Sequence, residues 1–497
     1  MSLREVSLRF RGLGASLAVA AVLACGPREG PRSVVLISVD TLRADRLNCY
    51  GYRARVVSPE IDRLAGDAIL FEKHITASPW TTPAHMSLLT SLNPSAHGVI
   101  SSFGQLWSRL QSGGDYERLA DEHETLAEVL ARNGYVTAAF TGGATMDPQI
   151  GFDQGFSSYD TSMAKLSEQG LARLTGWIDT NRGKPFFVFW HTFEVHAPYI
   201  QAGFLRDVVA AEEAASLEAA LARLQDAPDL PLSARKGGRI LAHHRLYTRA
   251  VCSALYDGGV RSVDRWIGRL VQALKRAGLY EHTLLVVTSD HGEQLGETPD
   301  SGGGRARDGR FYDAHGYTMY EEMLRVPLIV KLPGRRHAGR RIAAVSRAID
   351  VMPTILDVLG LSSDSATMQG SSLRPLWEGG GGTPRLAFSE ALAGENESKS
   401  IRSDRYKYIL SFDPGQVAER GRAFVSSEPA ATELYDLQGD AGERHSLLTA
   451  STTEIARLAG RLDADLRQVA GERRGKAGRT RLSPDTLERI KALGYVQ

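Results

Sequence analysis

Three apolar runs limit what this chain of 497 residues can fold into. Ser33–Val39, Pro185–His191 and Thr283–Thr288 are continuous in hydrophobicity rather than alternating. A strand with one wet face alternates polar and apolar side chains, so runs like these belong in a sheet covered on both faces. Tyr135–Phe140 and Val326–Pro333 read as further short strands, and helical patterns lie over 125–134, 247–277 and 349–360. Strands alternating with helices predict an α/β fold: a large, mainly parallel sheet flanked by helices. No glycine-rich turn follows the first run, which argues against a dinucleotide-binding unit.

The pattern changes after the glycines of 379–382. Short strands over 385–390, 402–410 and 432–436 predict a small C-terminal antiparallel α+β domain, 385–447. A helical tail, 448–497, follows, with a helix over 453–470 and a capped one over 483–494. Within the main body (31–375), the Ala-, Leu-, Glu- and Arg-rich stretch 202–246 predicts a helical insertion. The glycine- and arginine-rich stretch 301–312 predicts a loop overhanging the strand ends.

Ligands of open α/β sheets sit beyond the carboxyl ends of the strands. Asp40, His196 and the pair Asp290-His291 all fall just past predicted strands. Pro79-Trp80-Thr81-Thr82-Pro83 begins a short helical pattern, with Thr82 as the expected cap and Pro83 in the first turn. That places the Thr81 hydroxyl at a helix N-terminus, where free N–H groups and the helix dipole favour an anion. Each residue alone also has an ordinary structural explanation: a cap, a strand-end turn, rim histidines at His191 and His196 around Glu194, a surface histidine at His315. Together, carboxylates, an imidazole and a hydroxyl make a hard oxygen/nitrogen set. It suits one divalent ion (Ca²⁺, Mg²⁺ or Mn²⁺), with Zn²⁺ also compatible. Such an ion lowers the pKa of the Thr81 hydroxyl and orients it for attack.

Several motifs, in order along 31–447, resemble the sulfatase family of the alkaline phosphatase superfamily. They are Asp40–Asp45 with Cys49–Tyr52, the Thr81 stretch, Gly151–Phe156, His196–Tyr199, Ser289–Glu293, Tyr320–Glu322, Asp350–Thr354, Arg405–Lys407 and Glu433–Asp436. The resemblance implies an alkaline phosphatase-like α/β domain with a small C-terminal domain beside it. It implies metal ligands at Asp40, Asp290 and His291, with Thr41 where many members have a second aspartate. It implies the nucleophile at Thr81, which also contacts the metal, and His85 where the motif has a supporting arginine. His196 falls near the leaving group, and His315 takes the place of a substrate-binding lysine. This chain departs from the family in two places. The nucleophile pattern is T-x-P-x-H, and threonine is not converted to formylglycine as the family's cysteine or serine is. The family's Lys-Trp-His sulfate anchor gives way to Thr141-Gly142-Gly143-Ala144-Thr145.

The expected activity is hydrolysis of sulfate esters or related phosphate or phosphonate esters, on a small-molecule or glycan substrate. Alternatives are a phosphodiesterase or phosphotransferase acting through phospho-Thr81, and a non-catalytic binder of sulfated or phosphorylated glycans. A net charge of +1 and the lack of a basic stripe argue against nucleic acid. Residues 1–25 predict an export signal: Arg4, Arg9 and Arg11 precede an apolar run too short to span a bilayer. Val22-Leu23-Ala24-Cys25-Gly26 resembles a bacterial lipobox, predicting a lipoprotein of the cell envelope anchored through Cys25. Ordinary cleavage near Ala24 is the alternative. Cys49 and Cys252 can pair only with each other, or remain two thiols.

Overall fold

A computed structural model describes residues 33–100, 115–197, 199, 203–207, 209–225, 248–296, 315–316, 318–362, 368–380, 385–393, 396–412, 429, 431–450, 452–471 and 475–492. The expected signal segment with Cys25, the loop 301–312 and the second half of the insertion lie outside them. The first half of the insertion forms the helix Ala211–Gln225. Among the described residues no helix is long and apolar enough to cross a membrane. Cys49 and Cys252 form no disulfide.

The strands in chain order are β1 (Ser33–Val39), β2 (Ile69–Ile75), β3 (Tyr116–Arg118), β4 (Val136–Phe140), β5 (Ser158–Asp160), β6 (Phe186–Thr192), β7 (Thr283–Thr288), β8 (Arg325–Lys331), β9 (Arg341–Arg347), β10 (Ala387–Ala393), β11 (Asn396–Arg402), β12 (Tyr406–Phe412), β13 (Ala431–Asp436) and β14 (Gly478–Thr480). Eight of them make one sheet in the order β5-β4-β6-β1-β7-β8-β2-β9. Its pairs are parallel except around β8, which runs antiparallel to both β7 and β2.

The central strands β1, β6 and β7 are buried along their whole length. Because side chains alternate across a strand, each continuous run feeds two cores at once. Val34, Leu36, Phe187, Phe189, Leu284 and Val286 join one core, with Met86 and Leu88 of the helix Thr81–Thr90. Val35, Ile37, Val188, Trp190, Leu285 and Val287 join the other, with Leu255, Val263 and Ile267 of the helix Arg249–Arg276. Each such buried side chain stabilises the fold by about 1.5–3 kcal/mol.

Three strands of this sheet carry no comparable signal, the three-residue edge strand β5 among them. β2 holds Glu72 and Lys73 at a register shift against both neighbours, and β9 alternates toward solvent at the sheet's edge. Their pairing buries His74, whose Nδ1 lies 2.9 Å from Ser346 Oγ. His97 is likewise buried, its Nδ1 accepting the Val99 N–H at 3.2 Å. Burial pushes both imidazoles from an ordinary 6.5 down to about 3. The folded state therefore keeps them neutral. The stability this lends is present above pH 6.5 and is lost as pH falls toward the folded value. At about pH 5 each should cost the fold about 2 kcal/mol relative to neutrality. A thermal midpoint independent of pH between neutrality and pH ~5 would refute this.

The second sheet, β10-β11-β12-β13, is antiparallel throughout. The stretch 402–410 was expected to be one strand. It instead holds the end of β11, a turn at Ser403–Arg405 and the start of β12. β11 is rich in Glu, Ser and Lys, and its place in the sheet is set across the strands, with Lys399 opposite Glu390. The helix Thr453–Gly471 buries Leu462, Leu466 and Ala470 against Phe388, Ile401 and Leu410. The chain then returns to the main body, where it completes a separate two-stranded sheet. β14 pairs with β3, and the helix Pro484–Ala492 puts Ile490 into the first core while Thr486 Oγ1 donates to Asp147 at 3.0 Å.

Candidate active site

The parallel register sets Val39 of β1 beside Thr192 of β6, and Ser38 beside Thr288 of β7. The chain segments leaving these strands therefore emerge together. Asp40 follows β1, and Ser289-Asp290-His291 follows β7. A ligand atom from each of Asp40, Asp290 and His291 lies within 4.8 Å of the others, and all three residues are buried.

Thr41 adjoins this set in an unusual backbone state, with φ 58°. A β-branched residue pays on the order of 1–3 kcal/mol for that conformation, and surrounding bonds must hold it there. They are the Thr41 N–H on Asp290 Oδ1 at 3.2 Å and the Tyr256 hydroxyl on the Thr41 carbonyl at 2.7 Å. The Leu42 N–H on Ser289 Oγ, at 2.9 Å, ties the same two loops.

The set suits a cation on its own chemistry. Asp40 Oδ1, Thr41 Oγ1 and Asp290 Oδ2 are buried without a hydrogen-bond partner, a costly state that a cation would relieve. His291 Nδ1 faces the Gly292 carbonyl at 2.9 Å, which can only accept, so Nδ1 carries the proton. Its Nε2 lone pair is left for the site, 3.3 Å from Asp290 Oδ2. Burial pushes His291 down to about 4, so the imidazole is neutral and ready to ligate. Without a cation, burial and the Asp290 carboxylate push Asp40 well above the usual carboxylate range.

Thr81 is the first residue of the helix Thr81–Thr90. Its Oγ1 lies 3.3 Å from Asp40 Oδ2 and 3.4 Å from His291 Nε2, so the hydroxyl meets the proposed ligands. The neighbouring expectation fails. Thr82 does not cap this helix: its hydroxyl donates to the Thr145 carbonyl at 2.8 Å, and Trp80 holds the cap position with no side-chain cap bond. The helix starts earlier than expected because Pro83, which lacks an N–H, fits anywhere in a first turn whose N–H groups have no helical partner.

His85 lies one turn into that helix. Its Nδ1 donates to the Thr81 carbonyl at 2.9 Å and its Nε2 lies 2.8 Å from Ser38 Oγ. Burial lowers its pKa, so it is a neutral brace beneath Thr81 rather than a cation beside the hydroxyl. His191 presents Nε2 to Asp40 Oδ2 at 3.3 Å. His196 and His315 stand together, ring centroids 5.0 Å apart, and His315 is 4.6 Å from His291. His315 is therefore buried at the site, not the surface histidine its position after the loop suggested.

Sequence reasoning gave no role to Glu293, Tyr256 or Ser38. Glu293 is fully buried, with Oε1 accepting from His315 Nδ1 at 3.0 Å and Oε2 without a partner. Its place two residues beyond the Asp290-His291 pair was the available signal.

The family model described as Sulfatase matches residues 32–361, and one described as N-sulphoglucosamine sulphohydrolase, C-terminal, matches 308–472. N-acetylgalactosamine-6-sulfatase of Canis lupus familiaris is 24% identical over 457 residues, spanning 87% of this chain and 85% of that protein. The multifunctional alkaline phosphatase superfamily protein PehA of Trinickia caryophylli is 26% identical over 414 residues, 69% of this chain and 76% of that protein. The phosphonate monoester hydrolase of Agrobacterium radiobacter shares the fold, with TM-score 0.63 and 22% identity over 89% of this chain and 96% of that one. The chain belongs to the sulfatase family, in the alkaline phosphatase superfamily. Its class of chemistry is hydrolysis of ester bonds.

Proposed function

We propose that this chain hydrolyses sulfate, phosphate or phosphonate esters of small molecules or glycans, with Thr81 as nucleophile. The observation that carries the reading is the Thr81 hydroxyl at a helix N-terminus, facing Asp40 and His291 beside orphaned carboxylate oxygens. Asp40, Asp290 and His291, with Thr41 adjoining, would hold one divalent cation. When bound, that ion supplies Lewis-acid activation of the hydroxyl and neutralises charge developing on the ester. Thr81 Oγ attacks the sulfur or phosphorus, and its proton already faces Asp40 Oδ2 at 3.3 Å. His85 and Ser38 hold the first helical turn so that the hydroxyl keeps its aim. His196 is neutral at rest because burial holds its pKa well below the usual value. An arriving anion favours its protonated form, which then gives the proton to the leaving oxygen. Water cleaves the ester on Thr81 and restores the hydroxyl.

Threonine at this position favours phosphorus as the second reading, since a threonyl ester must await water instead of expelling its group from a geminal diol. Initial rates with an aryl sulfate, an aryl phosphodiester and an aryl phosphonate, in metal-loaded and chelated protein, test both. We expect metal-dependent turnover of at least one. Acid quench and mass spectrometry should then find the group on Thr81. No turnover across the panel, combined with tight binding of a sulfated glycan, would establish a binding protein instead.

A further inference from the structure

An anionic ester entering this site meets carboxylates. Asp40, Asp290 and Glu293 are all buried at the strand ends, and together they carry more charge than one divalent cation neutralises. Holding a sulfate or phosphate there calls for a further positive group. The loop after β4, Thr141–Thr145, offers only hydroxyls and backbone. The loop after β5 offers Lys165.

Backbone bonds fix that loop against its neighbours. Thr141 N–H donates to Asp160 at 2.7 Å, Met163 N–H to Thr141 at 2.8 Å, and Phe193 N–H to Ala164 at 3.1 Å. Gly142 makes the approach possible: a Cβ there would lie 2.3 Å from the Phe193 ring and 3.2 Å from Ala164 Cα. On its far side the loop ends at Ser167, which caps the helix Glu168–Asn181.

Lys165 Nζ donates to the Phe193 carbonyl at 2.9 Å. The Phe193 ring stands 4.6 Å from the ring of His191 and 5.6 Å from that of His196, and His191 touches Asp40. The ammonium is thus tied to the segment between His191 and His196. The Glu194 carboxylate beside it accepts from Ser262 Oγ at 2.7 Å and from the Leu166 N–H at 3.2 Å. The residue as a whole is exposed, yet desolvation of its ammonium lowers its pKa, opposed by the Glu194 and Asp40 carboxylates. Lys165 in turn contributes to lowering His196.

We propose that Lys165 binds the anionic group of the substrate, its ammonium leaving the Phe193 carbonyl to donate to a non-bridging oxygen of the sulfate, phosphate or phosphonate. The inference rests on the reading of this site as one for anionic esters. It assigns the anchoring charge to a segment other than the one that follows β4.

Titration calorimetry of the metal-loaded protein with inorganic phosphate and with inorganic sulfate tests it without any need for turnover. Lys165→Ala should weaken binding of the preferred anion by about 10- to 100-fold, the loss of one charge-assisted hydrogen bond, with metal content and melting temperature unchanged. Lys165→Gln can still bond the Phe193 carbonyl but carries no charge, and it should lose the anion to the same degree. Lys165→Arg should stay within about 3-fold of the wild type. In turnover the loss should appear in KM more than in kcat. If Lys165→Gln binds phosphate and sulfate like the wild type while the wild type turns over an ester, Lys165 is not the anchor although the hydrolase reading stands. If the wild type binds neither anion and turns over no ester, both fall.

Discussion

Thr81→Ala should reduce ester turnover at least about 10³-fold at saturating metal, a loss of ~4 kcal/mol of transition-state stabilisation. Among the described residues no other hydroxyl replaces it at the same place: Thr82 Oγ1 is committed to the Thr145 carbonyl, and Thr41 Oγ1 sits on a separate loop held by Tyr256. The substitution leaves the fold alone. Trp80 and not Thr81 holds the cap position, alanine is the best helix former, and His85 still meets the backbone carbonyl at this position. Thr81→Ser keeps the hydroxyl and should retain turnover within about 10-fold, the methyl having only restricted its rotamers. Initial rates, metal per chain and melting temperature for the three proteins decide it. Survival of roughly a tenth or more of wild-type turnover in Thr81→Ala, the level expected of a bystander hydroxyl, removes Thr81 from the chemistry.

The parts of this molecule that its sequence discloses are those whose physics is local. β1, β6 and β7 announce themselves because burial on both faces requires a continuous apolar run. Asp40, Asp290 and His291 follow from position, since parallel strands in register bring their carboxyl ends together, and Thr81 from its place at a helix start. What stays hidden is set across the chain. β2 and β11 carry charges that only their partners explain, Glu72 pairing with Arg341 and Lys399 with Glu390. Family resemblance singled out His315 as an expected substrate-binding residue, and only the three-dimensional arrangement puts Glu293 against it and Lys165 against Phe193. A lone lysine in a loop has no periodicity to betray it. The misplaced cap has the same origin: whether Thr82 satisfies its own helix or a distant carbonyl depends on where Thr145 lies.

Asp290→Asn should uncouple the protein's stability from divalent cations. Wild-type protein at 100 times the Kd of its ion should gain about 2.7 kcal/mol over chelated protein, read as a rise in melting temperature. The variant should bind the ion at least about 100-fold more weakly and show little of that gain. Asparagine keeps Oδ1, and so keeps the His291 N–H at 2.8 Å and the Thr41 N–H at 3.2 Å. Its amide nitrogen takes the place of Oδ2, 3.3 Å from His291 Nε2, and can donate into the lone pair that an ion would use. The chelated proteins should reverse the order. In the wild type without a cation, burial and Asp290 raise the Asp40 pKa above its unfolded value. The stability tied to that proton is therefore present at low pH and lost as pH rises through the folded value, opposite in sign to the effect of His74 and His97. At neutral pH the chelated wild type bears this strain, and Asp290→Asn removes the neighbouring charge that causes part of it. Chelated Asp290→Asn should then melt at or above chelated wild type, while metal-loaded wild type melts above both. A variant that takes up metal and gains stability like the wild type would place the ion elsewhere and leave the paired carboxylates without the partner assigned to them.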